Sequence, residues 1–215
     1  MASTIRIGIG GSAANPPHLG HVAMVRAVLD SERFDAVCWA VSGARADKPD
    51  VALPDDRIAM TLLTFPSQKL LAAGGSRLIL RFDDAYGENV PTIRRIEALH
   101  AAHPDAELAW FTGVDVLVPQ PRYGGRSEVA AAWVDGERLL AEWPLVVLPR
   151  AGYPNPRELD LPAGCTVIDA DLPRASSSDI RRKIAANDWS YVPHLTGGVR
   201  AYIRERALYG YRGTK

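Results

Sequence analysis

The sequence predicts an α/β fold built around a parallel sheet, and three observations support that prediction. Short apolar runs rich in β-branched residues alternate with longer runs whose apolar residues recur at helical spacing. Alternation of strands and helices is typical of right-handed β-α-β crossovers, which place successive strands parallel. Of the 215 residues, 47% are hydrophobic, which is enough to bury a sizeable core in one domain.

The strand predictions depend on apolar runs that end at glycine, proline or polar residues. The first run is followed by a glycine-rich turn over residues 8–21, which carries two prolines and two histidines and leads into the first helix. The predicted strands cover residues 5–9, 35–41, 77–82, 106–112, 145–148 and 166–169.

The helix predictions combine apolar spacing with residues that favour helix starts. Asp55 and Asp56 can cap the second helix. Pro91 suits the first turn of the third helix, with Asn89 before it as a cap, and Ser178 can cap a helix near the C-terminus. The predicted helices cover residues 19–29, 57–65, 91–100, 127–132, 136–142, 179–186 and 196–208.

Composition narrows the classes of partner and compartment. The chain has 25 basic and 25 acidic residues, so its formal net charge is zero and neither a nucleic acid nor a membrane surface is expected as a partner. The N-terminus leads directly into a strand without a signal-peptide pattern, and Cys38 and Cys165 lie in apolar, strand-like runs. We therefore expect a cytoplasmic location. The oligomeric state stays open, a homo-oligomer included.

The segment Pro-His-Leu-Gly-His at 17–21 is the first candidate site. His18 and His21 are three residues apart, so at a helix start both rings can point to one spot, and Gly20 lets a ligand approach the backbone. Imidazoles there can donate hydrogen bonds to phosphate oxygens. The alternative is a capped helix start with surface histidines. A zinc site is less favoured because no cysteine or acidic ligand lies nearby in sequence.

A second candidate site lies at residues 176–181, where three serines precede a helical arginine. Hydroxyls that open a helix, with Arg181 one turn further on, can bind an anion. The ordinary alternative is an N-cap beside a surface arginine.

The segment 11–21, GSAANPPHLGH, resembles the GGTFDPPHLGH signature of bacterial nicotinate-nucleotide adenylyltransferases, a family of the HxGH nucleotidylyltransferase superfamily. Aligned without gaps, both histidines and the glycine between them match. Ala13, Ala14 and Asn15 stand where Thr, Phe and Asp are usual, although nicotinamide-nucleotide relatives also carry asparagine at the third of these positions.

Further stretches resemble the same family in the expected order. Residues 176–181, SSSDIR, resemble its ISSTxIR motif, and residues 113–115, GVD, resemble its GAD or GQD. Residues 91–93, PTI, resemble its YTIDTL segment, and residues 133–150 follow the family without gaps from a tryptophan onward. Lys48 matches the lysine that follows the second strand. The resemblance covers nearly the whole chain.

The resemblance implies a Rossmann-like open parallel sheet with helices on both faces and a small helical C-terminal segment. It implies one nucleotidylyltransferase domain over residues 1–215. Compared with the usual connection in the family, about ten residues are inserted before Trp133. We therefore expect an inserted loop at about 119–132, against the acceptor pocket, and a helical C-terminal part at about 176–209.

The resemblance also implies a role for each candidate site residue. His18, His21 and Arg181 are the expected catalytic residues, which hold the phosphates of ATP and steady the departing pyrophosphate. The expected ATP-binding residues are Gly11, Ser12, Gly20, Gly113, Asp115, Ser177 and Ser178, and the expected acceptor-binding residues are Asn15, Lys48, Thr92 and Trp133.

The reaction implied is attack by a mononucleotide phosphate on the α-phosphorus of ATP. ATP and a pyridine mononucleotide are the expected substrates, and Mg²⁺ would bridge the phosphates with few protein ligands, so no metal-binding cluster is expected. The first acceptor is nicotinate mononucleotide, and the second is nicotinamide mononucleotide or another phosphate. A nucleotide-binding protein without turnover is the third interpretation. The donor base also stays open, because cytidylyl-transferring relatives share the two-histidine motif.

Overall fold

A computed structural model describes residues 4–43, 51–65 and 77–213 of the chain. The described residues form a sheet of six strands, all parallel, in the order β3-β2-β1-β4-β5-β6. The strands are β1 (Arg6–Ser12), β2 (Ala36–Val41), β3 (Arg77–Arg81), β4 (Glu107–Gly113), β5 (Leu145–Leu148) and β6 (Thr166–Val167).

Helices connect these strands and extend the fold beyond the last one. Among the described residues, no helix is long and apolar enough to cross a membrane. The helices are α1 (Leu19–Asp30), α2 (Pro54–Thr64), α3 (Thr92–Ala102), α4 (Glu128–Ala132), α5 (Gly136–Glu142), α6 (Ser177–Ala185) and α7 (Gly197–Glu205).

The strand order creates a switch point between β1 and β4. The chain builds the sheet from β1 to β3 toward one edge, then returns to the other side of β1 and builds β4 to β6 toward the opposite edge. Because all six strands are parallel, the segments that follow β1, β4 and β5 emerge at one edge. Open α/β sheets bind ligands in the crevice at such a point.

Two apolar cores pack against the two faces of the sheet. Alternate residues of each strand point to opposite faces, so Trp39 joins the core under α1 while its neighbour Cys38 joins the core under α3 and α5. In β5, Leu145–Leu148, all four residues are buried. The predicted α/β class, with a parallel sheet and helices on both faces, is confirmed.

A third core holds the helical C-terminal part against α2. It combines Met60 of α2 with Ile180, Ile184, Val199 and Ile203 from α6 and α7. The loop at 119–132 contains a single antiparallel bridge between Gln120 and Arg126, a short 3₁₀ turn and α4.

The prediction of a glycine-rich turn beginning at residue 8 is wrong, because the glycines belong to β1. A Cβ atom at Gly10 would overlap the ring of Phe111, and one at Gly11 would lie 2.6 Å from the carbonyl oxygen of Ala40. These positions are glycine because β1 packs closely on its neighbours. The loop itself begins at Ala13.

The start of α2 also differs from the prediction. The helix begins one residue before Asp55, with Pro54 in its first turn, where the missing N–H costs no hydrogen bond. No side chain caps it. Asp56 is buried and accepts hydrogen bonds from the Tyr202 hydroxyl at 2.9 Å and the Arg206 Nε at 3.3 Å, so it ties α2 to the C-terminal part.

Helix α3 begins one residue later than predicted. Pro91 is its N-cap residue and Thr92 its first helical residue, so the suggested cap at Asn89 is wrong.

Candidate active site

The two histidines of the sequence motif lie together at the start of α1. His18 is the N-cap residue and His21 lies in the first turn, and their rings stack with centroids 3.8 Å apart. The backbone N–H of His18 donates a hydrogen bond to Nδ1 of His21 at 3.2 Å. Because Nδ1 accepts, a neutral His21 carries its proton on Nε2, which leaves an N–H donor on the far side of the ring.

Both imidazoles are held in the neutral form. Burial lowers the pKa of His18 well below its usual value, and electrostatic interactions with the His21 ring and with Arg150 lower it further. Burial, with the positive charge of Arg150, lowers the pKa of His21 to about 3. The pair can therefore donate hydrogen bonds to an anion, but it does not supply positive charge near neutral pH.

Gly20 makes room for this arrangement. A Cβ atom at Gly20 would lie 2.9 Å from Nδ1 of His18 and 3.4 Å from Cβ of Ala175, just before α6. Nδ1 of His18 is buried and has no hydrogen-bond partner of good geometry among the described residues. A buried polar atom in this state is destabilising, and a bound ligand oxygen could supply the partner.

The second motif packs directly against the first. Ser176 is the N-cap residue of α6, so the predicted cap at Ser178 is wrong, and no side chain of the run bonds the helix start. Instead, the Ser177 hydroxyl donates to the Pro16 carbonyl at 2.9 Å. Arg181 donates to the Asn15 carbonyl at 2.7 Å. The structure thus brings Arg181 into contact with the short loop that ends at His18.

An arginine that the sequence analysis did not select completes this edge of the sheet. Arg150 follows β5 and donates from Nη1 to Asp115 at 2.9 Å. Asp115 follows β4, and its carboxylate folds back over Gly113, where a Cβ atom would lie 2.6 Å from Oδ1. The sequence feature that could have identified Arg150 is its position two residues after a fully apolar strand.

The predicted acceptor residues Thr92 and Trp133 lie on the other face of the sheet from α1. Thr92 opens α3, whose apolar side packs in the same core as the Trp133 ring. The indole lies 5.8 Å from the ring of Trp110, and its Nε1 donates to Glu128 at 3.4 Å. The loop at 119–132 therefore contacts Trp133 through α4.

Of the remaining predicted residues, Gly11 and Ser12 end β1, Asn15 lies in the loop between β1 and α1, and Lys48 lies outside the described residues. We call residues 13–18 the histidine loop. The Ser12 hydroxyl accepts from the Ala14 N–H at 3.1 Å. Asn15 is 4% exposed, and its Oδ1 accepts from the Ala52 N–H and from the Tyr209 hydroxyl. Their roles in ATP or acceptor binding stay predictions.

A second arginine that the sequence analysis did not select lies beneath the histidine loop. Arg57 of α2 is 1% exposed, and its guanidinium donates to four backbone carbonyls in the segments that follow β1, β2 and β3. Its position in the sequence, between two aspartates and an apolar run, gives no sign of this role. The acceptors are the carbonyl oxygens of Ala13, Ser42, Ala52 and Ala85, at 2.6 to 3.1 Å.

Comparison with known proteins points to one family. No family model matches the chain. The chain is 29% identical over 212 residues to the probable nicotinate-nucleotide adenylyltransferase of Synechococcus sp., which covers 95% of this chain and 94% of that protein. It is 28% identical over 210 residues to the protein of the same name from Corynebacterium kroppenstedtii, with 95% and 90% of the two chains covered.

Solved structures show the same fold. The Plasmodium falciparum nicotinic acid mononucleotide adenylyltransferase complexed with NaAD aligns with a TM-score of 0.79 and 17% identity, over 97% of this chain and 98% of that chain. The same Plasmodium falciparum protein complexed with APC aligns with a TM-score of 0.75 and 16% identity, over 97% of this chain and 98% of that chain.

The chain has a Rossmann-like sheet with paired histidines at its switch point, and it is similar in sequence to proteins named as nucleotidyltransferases. Within that class, the resemblance to the nicotinate-nucleotide adenylyltransferases is confirmed over nearly the whole chain.

Proposed function

We propose that the protein transfers the adenylyl group of ATP to the phosphate of nicotinate mononucleotide. The products are nicotinate adenine dinucleotide and pyrophosphate, as expected for an enzyme of NAD biosynthesis. The observation that supports this proposal most directly is the stacked His18–His21 pair at the start of α1, opposite Arg181 of α6. Relatives named nicotinate-nucleotide adenylyltransferase support the choice of acceptor.

The chemistry needs positioning and charge stabilisation without a covalent intermediate. A phosphate oxygen of the mononucleotide attacks the α-phosphorus of ATP, and the bond from that phosphorus to the bridging oxygen of the β-phosphate breaks. The electron pair of this bond leaves with pyrophosphate. Neutral His18 and His21 donate hydrogen bonds to phosphate oxygens, and Arg181 offsets the negative charge that grows on the leaving group.

Mg²⁺ enters this reaction with ATP, as part of the substrate. When bound, it neutralises phosphate charge. Within the described residues, no group of three or more His, Cys, Asp or Glu side chains could hold a metal ion. We also propose that Lys48 and Trp133 bind the mononucleotide. The proposed location of the protein is the cytoplasm.

One experiment tests the proposal. The protein is incubated with ATP, Mg²⁺ and either nicotinate or nicotinamide mononucleotide, and pyrophosphate release is followed while the dinucleotide is identified by mass. We expect faster release with the acid than with the amide. Faster release with the amide would favour the second acceptor. If the protein binds ATP but releases pyrophosphate with neither mononucleotide, the proposed enzymatic function is contradicted.

A further inference from the structure

Asn15 of the histidine loop is held by a residue almost at the other end of the chain. The Tyr209 hydroxyl donates to Asn15 Oδ1 at 2.9 Å, and the backbone N–H of Ala52 donates to the same oxygen at 3.1 Å. A backbone N–H can only donate, so the Asn15 atom that faces Ala52 is its oxygen. These two bonds fix the orientation of the side-chain amide.

Two residues of the segment that carries Tyr209 have a left-handed backbone conformation. Tyr209 has φ 59° and Ala207 has φ 49°, both in the left-handed region, which a residue other than glycine rarely adopts. Strain of this kind persists only where the surroundings over-determine it. Here Tyr209 packs with the core of α2, α6 and α7, and its hydroxyl oxygen lies 3.9 Å from Met60 Sδ.

The Tyr209 hydroxyl is also kept in its donating form. Burial raises the pKa of Tyr209 far above its usual value, so the phenol is protonated near neutral pH.

We propose that Tyr209 is a positioning residue of the active site, which acts through the side chain of Asn15. Asn15 joins two elements of the site, because its side chain accepts from Tyr209 while its backbone carbonyl accepts from Arg181 at 2.7 Å. The next two residues lead directly to His18. Removal of the Tyr209 hydroxyl leaves Asn15 Oδ1 with one fewer donor, so the side chain of this predicted acceptor-binding residue is held less firmly.

This inference rests on the proposed function, and steady-state kinetics of Tyr209→Phe tests it. We expect the KM for nicotinate mononucleotide to rise about fivefold, the effect of one hydrogen bond, while the KM for ATP stays within about twofold. The matched control is Tyr202→Phe, which removes a hydroxyl bonded to Asp56 in the same C-terminal part. Both KM values of the control should stay near those of the unaltered protein.

A double-mutant cycle separates positioning from a general structural role. In an Asn15→Ala background, Tyr209→Phe should change the mononucleotide KM by less than about twofold, because the group it positions is gone. Unchanged KM values in Tyr209→Phe, or a fivefold effect that persists in the Asn15→Ala background, would overturn the inference. An equal rise of both KM values would overturn it as well.

The failure of this inference can be distinguished from the failure of the proposed function. If the unaltered protein releases no pyrophosphate, the proposed function fails before Tyr209 is tested. If Tyr209→Phe does not fold, Asn15→Ala alone carries the test. It removes the acceptor of the same hydrogen bond, so a mononucleotide KM that stays unchanged would overturn the inference.

Discussion

The rings of His18 and His21 stack with centroids 3.8 Å apart, and both are neutral because burial disfavours their charged forms. Two imidazolium rings at this distance would repel each other strongly. The pair therefore acts through N–H donors, and the positive charges at this edge of the sheet come from arginines. The histidines thus contribute neutral hydrogen-bond donors, while the arginines contribute the positive charge.

His21→Ala should lower kcat at least about a hundredfold, because it removes a donor aimed at charge that develops during phosphoryl transfer. Pyrophosphate release measures the rate, and thermal unfolding measured by circular dichroism checks that the fold survives. His103→Ala is the matched control, since His103 is an exposed histidine at the end of α3. Near-normal turnover of His21→Ala would refute the catalytic role.

Stability should fall on acidification partly because of His21. Its folded-state pKa of about 3 lies below the usual value of 6.5. As the pH falls between these values, the unfolded chain binds a proton that the folded protein does not bind, so the free energy of unfolding decreases. In His21→Asn this decrease should be less steep, by up to about 1.4 kcal/mol per pH unit. Urea unfolding from pH 7 to 4 measures both slopes, and identical slopes would contradict the assignment.

Arg150→Gln should raise the pKa of both histidines, because it removes a positive charge that disfavours their protonated forms. It should also release Asp115 from its ion pair. Histidine ¹³C chemical shifts followed against pH measure the effect. Arg157→Gln is the control, since Arg157 pairs with exposed Asp169 after β6. A histidine pKa unaffected by Arg150→Gln would show that the charge of Arg150 does not reach the pair.

Arg57→Met should lower the free energy of unfolding by about 3 kcal/mol, because it removes the donor that four backbone carbonyl groups share. Chemical denaturation measures the loss. Arg182→Met provides the comparison, because the exposed Arg182 pairs with Asp179 within α6 and should cost less than about 0.5 kcal/mol. Equal effects of the two substitutions would mean that the buried guanidinium does not hold the loops together.

Local pattern was enough to predict most elements of this fold. The predicted bounds of β5 and α5 agree with the structure at both ends, because in each case the flanking residues interrupt the apolar pattern. The histidine motif and Arg181 were also accessible, since their spacing relates them to a helix start. Whether these residues contact ATP stays a prediction.

Features that depend on distant partners were not accessible in this way. The need for glycine at position 10 comes from the ring of Phe111, which is about a hundred residues further along the chain. The roles of Arg57 and Arg150 arise where the ends of several strands converge, and nothing in their neighbouring residues reports that convergence. The cap predicted at Asp56 was wrong for a related reason, because its carboxylate accepts from Tyr202 and Arg206 and not from its own helix start.

The bond between Tyr209 and Asn15 spans 194 positions of the chain. On the ribosome, the first strand and the histidines emerge long before the segment that locks the loop beside them. Contacts of such long sequence separation form late because the intervening chain must first be ordered. In a nascent or shortened chain that lacks this segment, the histidine loop is without the Tyr209 donor that orients Asn15.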